Sequence, residues 1–149
     1  MHIFFENAKN RLKTNIERQR NLEPHILTIS QALWPYTELK LVFYISVLAV
    51  LDFTSTFVAL ELSGSKQIYE AGFLAKWALQ IGGFPGLLIV DATSVGALIC
   101  LAFMAKAFYL KLGLKGFGRA AFILMLMPYF LIIWGIITNN ILLAFLPIN

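Results

Sequence analysis

The chain has 149 residues, of which 59% are hydrophobic and 13% are charged, and its net charge is +4. A chain this apolar lacks the polar residues that cover an ordinary soluble domain, so the composition predicts a small integral membrane protein. The single cysteine, Cys100, excludes an intrachain disulfide and any thiolate-rich metal site built from this chain alone.

Residues 1–37 form the predicted amphipathic segment, on the cytoplasmic side or at the membrane interface. Its first apolar residues recur at spacings of three and four: Phe5, Ala8, Leu12 and Ile16. This period predicts a helix with one apolar stripe and a mainly basic remainder, which Pro24 is expected to interrupt. The helix would either lie on anionic lipid or place its stripe against a partner subunit. Trp34 and Tyr36 are typical of the headgroup interface.

Three later segments are long and apolar enough to cross a bilayer as helices: residues 40–62, 85–109 and 118–146. The third has no charge from Ala120 onward, so we expect it to tilt, or to kink near Pro128. Residues 72–82 predict a short external interfacial helix that ends at two glycines. The predicted fold is therefore an all-α, three-span membrane protein forming a single membrane domain over residues 1–149.

The basic residues are distributed unevenly among the predicted spans. Six of the 12 Lys and Arg residues lie before the first span or at its first residue, and four lie at or between the facing ends of the second and third spans. The other two lie between the first and second spans. This positive-inside pattern predicts a multi-pass protein of a prokaryotic cytoplasmic membrane, with its N-terminus in the cytoplasm and its C-terminus outside. It also explains the net charge without nucleic-acid binding.

Asp52 lies in an otherwise uncharged run within the first span. Inserting a carboxylate at that depth in the membrane costs on the order of 2.5 to 3.5 kcal/mol of free energy. Ser55 and Thr56 share its helical face, since residues three and four apart are neighbours. This group could hold a cation or relay a proton. The alternative, which we favour, is that its members form interhelical hydrogen bonds.

The second span repeats this arrangement around Asp91, with Ser94 one turn further on. On the adjoining face, small residues recur every four positions and predict a close helix contact: Ala92, Gly96 and Cys100. The two acids would lie at comparable depth in antiparallel spans. They would then share a proton or cation, or a partner would supply a basic group or a metal.

Catalytic and metal-binding patterns are missing from the sequence. Its two histidines, His2 and His25, precede the first span, and neither Ser55 nor Ser94 has a histidine nearby in the sequence. We therefore expect no enzyme activity, no cofactor and no metal. Asn139 and Asn140 in the third span are interpreted as solvated or interhelical amides.

Two motifs resemble those of a family. Asp52, Ser55 and Thr56 match an opening element in which an Asp in a span is followed by Ser or Thr. Glu70-Ala71 matches the start of a Glu-Ala-Asn-Pro-like turn, with Gly72-Phe73 in place of Asn-Pro. Through these motifs residues 45–106 resemble a family of small bacterial and archaeal multi-span membrane proteins of unknown function. The family often has a lysine early in its second span, where this chain has Asp91; the resemblance implies a fold without an activity.

The expected function is that of a small non-catalytic subunit of a larger membrane complex, for which a membrane oxidoreductase or monooxygenase is one host class. Its expected partners are other integral membrane subunits and the lipid bilayer. The alternative is an oligomeric proton or cation pathway, or a transporter, that uses Asp52, Glu70 and Asp91.

Overall fold

The computed structural model describes residues 2–63 and 73–145, and their regular structure consists of four α-helices. In chain order these are α1 (His2–Leu33), α2 (Glu38–Ser63), α3 (Phe73–Lys111) and α4 (Lys115–Phe145). No strand occurs in these two ranges, so the all-α prediction is confirmed.

Three stretches of helix are long and apolar enough to cross a membrane: they lie within Lys13–Val58, Lys76–Lys111 and Lys115–Leu142. In the most apolar part of each stretch, only 17%, 17% and 28% of the residues are buried within the chain. Side chains this apolar and this exposed require lipid or another membrane helix around them. The three-span prediction is therefore confirmed.

Helix α1 is longer than predicted, because it continues through Pro24 to Leu33. The expectation that Pro24 interrupts it was wrong. Pro24 has no backbone N–H, so the carbonyl of Arg20, four residues earlier, receives no hydrogen bond within the helix. Both Pro24 and Arg20 are exposed. That carbonyl can be satisfied from outside the chain, so the helix is retained. Helix α4 likewise continues on both sides of Pro128.

Helix α3 contains a sharp break at Gly83, where φ is +58° and ψ is −150°. Only glycine adopts this conformation readily, because a Cβ would clash with the backbone. The residues before the break correspond to the short helix predicted over 72–82. Gly86 lies one turn further on and packs closely against Ala78. A Cβ at position 86 would lie only 2.7 Å from the carbonyl oxygen of Ala78, so any other residue would clash there.

The chain divides into two compact units, of which unit 1 comprises Met1–Glu38 and Leu101–Met125. The turn between α3 and α4 lies in this unit and is a Schellman motif. Gly113 has a φ of +75°, its N–H donates to Leu110, and the N–H of Leu114 donates to Tyr109. Leu114 is completely buried, which fixes the turn against the unit's interior.

The second half of α1 packs in unit 1 against the residues around this turn. The Glu23 carboxylate accepts a 2.9 Å hydrogen bond from the N–H of Gly116 in the first turn of α4. That N–H has no partner within α4, and the helix dipole favours a negative charge there. The added Cβ of any residue at position 116 would lie 2.8 Å from the Glu23 carbonyl, so glycine is required for this approach.

The segment between α1 and α2 is held by Arg119. One of its guanidinium nitrogens donates to the carbonyls of Trp34, at 2.8 Å, and Tyr36, at 2.9 Å. Trp34 is 8% exposed and its indole N–H donates to the Thr37 carbonyl. Trp34 therefore packs within the chain, and the predicted place of Trp34 and Tyr36 at the headgroup interface stays a prediction.

Glu38 and Lys106 form an ion pair within unit 1. The Lys106 ammonium also lies 6.0 Å from the centre of the Phe122 ring, which itself is completely buried. A partly buried pair of this kind ties the start of α2 to the last part of α3 more firmly than an exposed pair would.

Unit 2 comprises Leu39–Cys100 and Leu126–Asn149. Its interior includes Leu48 of α2 with Ile133 and Ile137 of α4, and Tyr129 and Phe130 pack against this cluster. Large apolar side chains also cover its outside. Phe43 is 64% exposed, Ile89 66% and Leu131 63%, which is the surface expected of helices that face lipid.

Candidate functional site

Helix α2 places Asp52, Ser55 and Thr56 on one face, as the helical spacing predicts, and α4 presents Asn140 to that face. The Asn140 amide donates to the Ser55 hydroxyl at 3.1 Å and to the Thr56 hydroxyl at 3.0 Å. Ser55 in turn donates to the backbone carbonyl of Asp52 at 2.9 Å. The hydroxyls therefore belong to an interhelical hydrogen-bond network.

The two neighbouring asparagines have different environments. Asn140 is 8% exposed, whereas Asn139 points away and is exposed. A buried amide costs free energy unless its donors are paired, and the α2 hydroxyls supply the pairing. The sequence analysis left both asparagines as solvated or interhelical; the structure assigns the interhelical alternative to Asn140 alone.

The Asp52 carboxyl has one oxygen, Oδ1, that is enclosed by protein and has no hydrogen-bond partner in the part of the chain that the structure describes. Asp91 lies within electrostatic range of this carboxyl, inside unit 2. An enclosed carboxyl oxygen without a donor is rare in proteins and needs a proton, a cation or a partner group.

Tyr129 of α4 completes this cluster and was missed by the sequence analysis. Its phenol is half-buried and lies within electrostatic range of both Asp52 and Asp91. The sequence feature that could have pointed to Tyr129 is its hydroxyl, next to Pro128 in the uncharged part of the third span. Aromatic residues are so common in spans that this signal alone did not distinguish it.

Asp91 also lines a groove between α2 and α3, which has a volume of about 280 Å³. Its α2 wall consists of Ser46, Ala49, Val50 and Phe53, and its α3 wall of Leu88, Asp91, Ala92, Val95, Gly96 and Ile99. The Ser46 hydroxyl donates to the Val42 carbonyl of its own helix. Asp91 is thus the only ionisable residue in a groove that is otherwise nearly apolar.

Two residues of the predicted small-residue stripe, Ala92 and Gly96, line this groove, and Cys100 lies four residues beyond Gly96. Ala92, Gly96 and Cys100 are all exposed, and a Cβ added to Gly96 would meet no other described atom within 4 Å. The stripe therefore forms no close contact with another helix among the described residues. Ser94 is also exposed and lies outside the groove. Glu70 falls outside the described residues.

Ligand sets for metals were not expected, and the described residues contain no group of three or more His, Cys, Asp or Glu side chains that could hold an ion. The two carboxyls alone would offer at most a pair of ligands. The polar groups of unit 2 are better suited to holding helices, protons or a single positive charge.

The fold and these intramembrane polar groups define a multi-pass helical membrane protein. Comparison of the chain with protein-family models, with curated proteins and with solved structures finds no significant match. The resemblance over residues 45–106 accordingly stays a prediction, and the function has to be argued from the site.

Proposed function

We propose that this chain is a small non-catalytic integral subunit of a larger membrane complex, as the sequence suggested. The observation that supports this role most is the Asp91 groove: a carboxylate borders an exposed, nearly apolar groove, and no described residue forms an ion pair with it. Intramembrane carboxylates are costly and pair with something. A partner subunit that covers the groove would remove that cost.

The proposed membrane is a prokaryotic cytoplasmic membrane, with the N-terminus inside and the C-terminus outside. The uneven distribution of basic residues supports this orientation. A membrane oxidoreductase or monooxygenase is the host class we favour, because such assemblies contain small subunits without catalytic groups of their own. The sequence offers no nucleophile with a neighbouring base, which supports a non-catalytic role.

The direct test is extraction of the native membrane with a mild detergent, followed by native electrophoresis and mass spectrometry of the band that contains this chain. A band with unrelated subunits in fixed stoichiometry is the expected result. A band containing this chain alone, as a monomer or a homo-oligomer, would contradict the proposed role.

A second candidate function is an oligomeric proton or cation pathway, and the cluster of Asp52, Asp91 and Tyr129 favours it. Chains of ionisable side chains inside the membrane are typical of proton relays, and these three side chains lie within electrostatic range of one another. The predicted pathway also included Glu70, so the structure supports only the part built on Asp52 and Asp91.

Substitution of Asp52 by Asn separates the two functions. An amide keeps the size and hydrogen bonding of the carboxyl but cannot carry a proton or a charge. If the chain conducts protons into vesicles loaded with a pH-sensitive dye, Asp52→Asn should abolish the flux. Thr54→Ala is the matched control, because Thr54 is exposed on the same helix and its hydroxyl donates only to the Val50 carbonyl. Undiminished flux in Asp52→Asn would exclude this pathway.

A further inference from the structure

The Asp91 groove has a shape that could accommodate a helix. Its α2 wall uses positions 46, 49, 50 and 53, and its α3 wall uses positions 88, 91, 92, 95, 96 and 99. These spacings follow one face of each helix, and on α3 they extend for three turns, or about 16 Å at 1.5 Å per residue. A groove of this length between two helices matches the contact face of a third helix.

The groove margin also permits close approach. Ala92 and Gly96 are exposed on the same side of α3, and no described atom lies within 4 Å of where a Cβ on Gly96 would stand. Small residues four positions apart let the backbones of two membrane helices approach closely. The van der Waals contacts between the helices then replace those that each helix made with lipid. The carboxylate of Asp91 lies beside this point of approach.

The negative charge of Asp91 determines which kind of helix can bind in the groove, because the helix must offer a positive charge. Residues 41–65, 77–105 and 120–149 contain no Lys, Arg or His, so the apolar parts of this chain have no cation to offer. A second copy of the chain would bring only further acids to Asp91, and like charges repel most strongly where water is excluded. The complementary charge must therefore come from a different chain.

We infer that the groove between α2 and α3 binds a transmembrane helix of another subunit, one that carries a Lys or Arg at the depth of Asp91. This inference rests on the proposed subunit role and specifies its contact. The basic side chain of the partner pairs with the Asp91 carboxylate, while the partner backbone packs against Ala92 and Gly96. Leu88, Val95 and Phe53 supply the apolar surface around the pair.

The native Cys100 provides a reporter for this contact, because it is exposed on α3, nine residues from Asp91 and four residues beyond Gly96 of the groove. The probe is a synthetic leucine-rich transmembrane peptide with one central Lys and one Cys nine residues away, about 13.5 Å along a helix. Two versions, with the Cys before or after the Lys, cover parallel and antiparallel docking. The purified chain and the peptide are reconstituted in phosphatidylcholine vesicles, and mixed disulfide formation is measured under mild oxidation.

The Lys peptide should form the mixed disulfide in one orientation, about tenfold more than the same peptide with Leu in place of Lys. Asp91→Asn should reduce the mixed-disulfide yield of the Lys peptide to that of the Leu peptide. Asp91→Glu should retain the higher yield of the Lys peptide. Gly96→Leu should block both peptides by filling the approach. Ser94→Ala is the control, because Ser94 is exposed on α3 outside the groove and should have no effect.

Equal yields from the Lys and Leu peptides, or a Lys preference that survives Asp91→Asn, would overturn the inference. A Cys100–Cys100 disulfide that dominates when the peptide is present would show that a second copy occupies the groove. Circular dichroism and labelling of Cys100 by a small maleimide confirm that each variant is folded. If unrelated subunits co-purify in the native membrane while the peptide shows no Lys preference, the subunit role stands and only this contact is wrong.

Discussion

Asn140 is the residue that links α4 to α2 by side-chain hydrogen bonds in unit 2, through Ser55 and Thr56. Both hydroxyls serve as acceptors for one amide group, so a single side chain satisfies polar groups on two consecutive positions of α2. Hydrogen bonds of this kind between membrane helices average about 0.6 kcal/mol and reach about 1.7 kcal/mol. Their value lies as much in fixing the relative register of two apolar helices as in stability.

Asn140→Ala should lower the free energy of unfolding by about 1 to 2 kcal/mol, since both hydrogen bonds are lost together. Asn139→Ala is the matched control, because Asn139 has the same side chain one position earlier and is exposed. Thermal unfolding of both variants in the same detergent measures the difference. Equal midpoints for the two variants would show that the Asn140 bonds contribute nothing to stability.

The two intramembrane acids differ in how they can be reached. The Oδ1 atom of Asp52 is enclosed within unit 2, whereas Asp91 borders a groove that is open to the outside of the unit. A partner can therefore neutralise Asp91 directly. Asp52 is influenced through Asp91 and Tyr129, so a charge bound at Asp91 would change the electrostatic environment of the enclosed carboxyl without touching it.

At the scale of the secondary-structure elements, α3 is two helical segments joined at Gly83. The backbone of Gly83 is in a region that only glycine occupies readily, while its neighbour Gly82 has no positive φ. The close approach of the Ala78 carbonyl to Gly86 then fixes how the two segments meet. The break separates the short helix from the membrane-crossing part of α3.

Gly83→Ala should destabilise the protein by about 1 to 3 kcal/mol, the usual cost of a strained backbone at a residue other than glycine. Gly82→Ala is the control: a Cβ there meets no atom within 4 Å. In a helix that substitution is expected to be neutral or to stabilise by up to about 1 kcal/mol. Unfolding midpoints measure both, and an equal loss for the two variants would argue against the break at Gly83.

Helix α1 is held by the chain itself over its second half. The Glu23 carboxylate pairs with the free N–H at the start of α4, and Arg119 binds the two carbonyls that follow α1. The sequence left lipid and a partner subunit as alternative contacts for the amphipathic segment. For its second half, the α3–α4 region of the same chain is the contact.

Glu23→Ala should weaken this docking by about 0.3 to 2 kcal/mol, because a charge at a helix N-terminus is lost together with a hydrogen bond. Arg18 and Arg20 are exposed, and trypsin cleaves there only when the helical backbone opens, so weaker docking should raise the rate of cleavage. Glu17→Ala is the control, since Glu17 is exposed on the same helix and such charges usually contribute within about 0.5 kcal/mol. Cleavage at equal rates in both variants would show that Glu23 does not hold α1.

On the scale of the whole molecule, the outward-facing residues of the spans are too apolar for water. Ile132 is 60% exposed and Trp134 is 52% exposed, and both lie in the part of α4 that has no charged residue, from Ala120 onward. Lipid or neighbouring subunits must cover these surfaces.

We expect the C-terminus to lie outside and the N-terminus in the cytoplasm. In a Cys100→Ser background, a cysteine introduced after Leu146 should be modified by a membrane-impermeant maleimide added to intact cells. A cysteine introduced before Lys9 should be modified only after the cells are opened. Protection of the C-terminal cysteine in intact cells, with labelling after lysis, would contradict the orientation.

The class of protein and its spans could be predicted from the sequence, because hydrophobic length and the absence of charge are local properties that need no knowledge of packing. The break at the two glycines was predictable for the same reason, since it depends on backbone chemistry at one position. The pairing of the α2 hydroxyls with another helix followed from the cost of burying polar groups in a membrane. These features would be the same whatever the helices pack against.

The tertiary structure decided which groups meet. Two such pairings depend on how distant segments pack: Asn140 and not Asn139 bonds to α2, and Tyr129 lies within electrostatic range of the two acids. The sequence pattern placed Ala92, Gly96 and Cys100 on one face, but only the structure shows that this face is exposed beside Asp91. A helical period fixes which residues share a face, while the neighbour of that face is set by long-range packing, which sequence spacing does not encode.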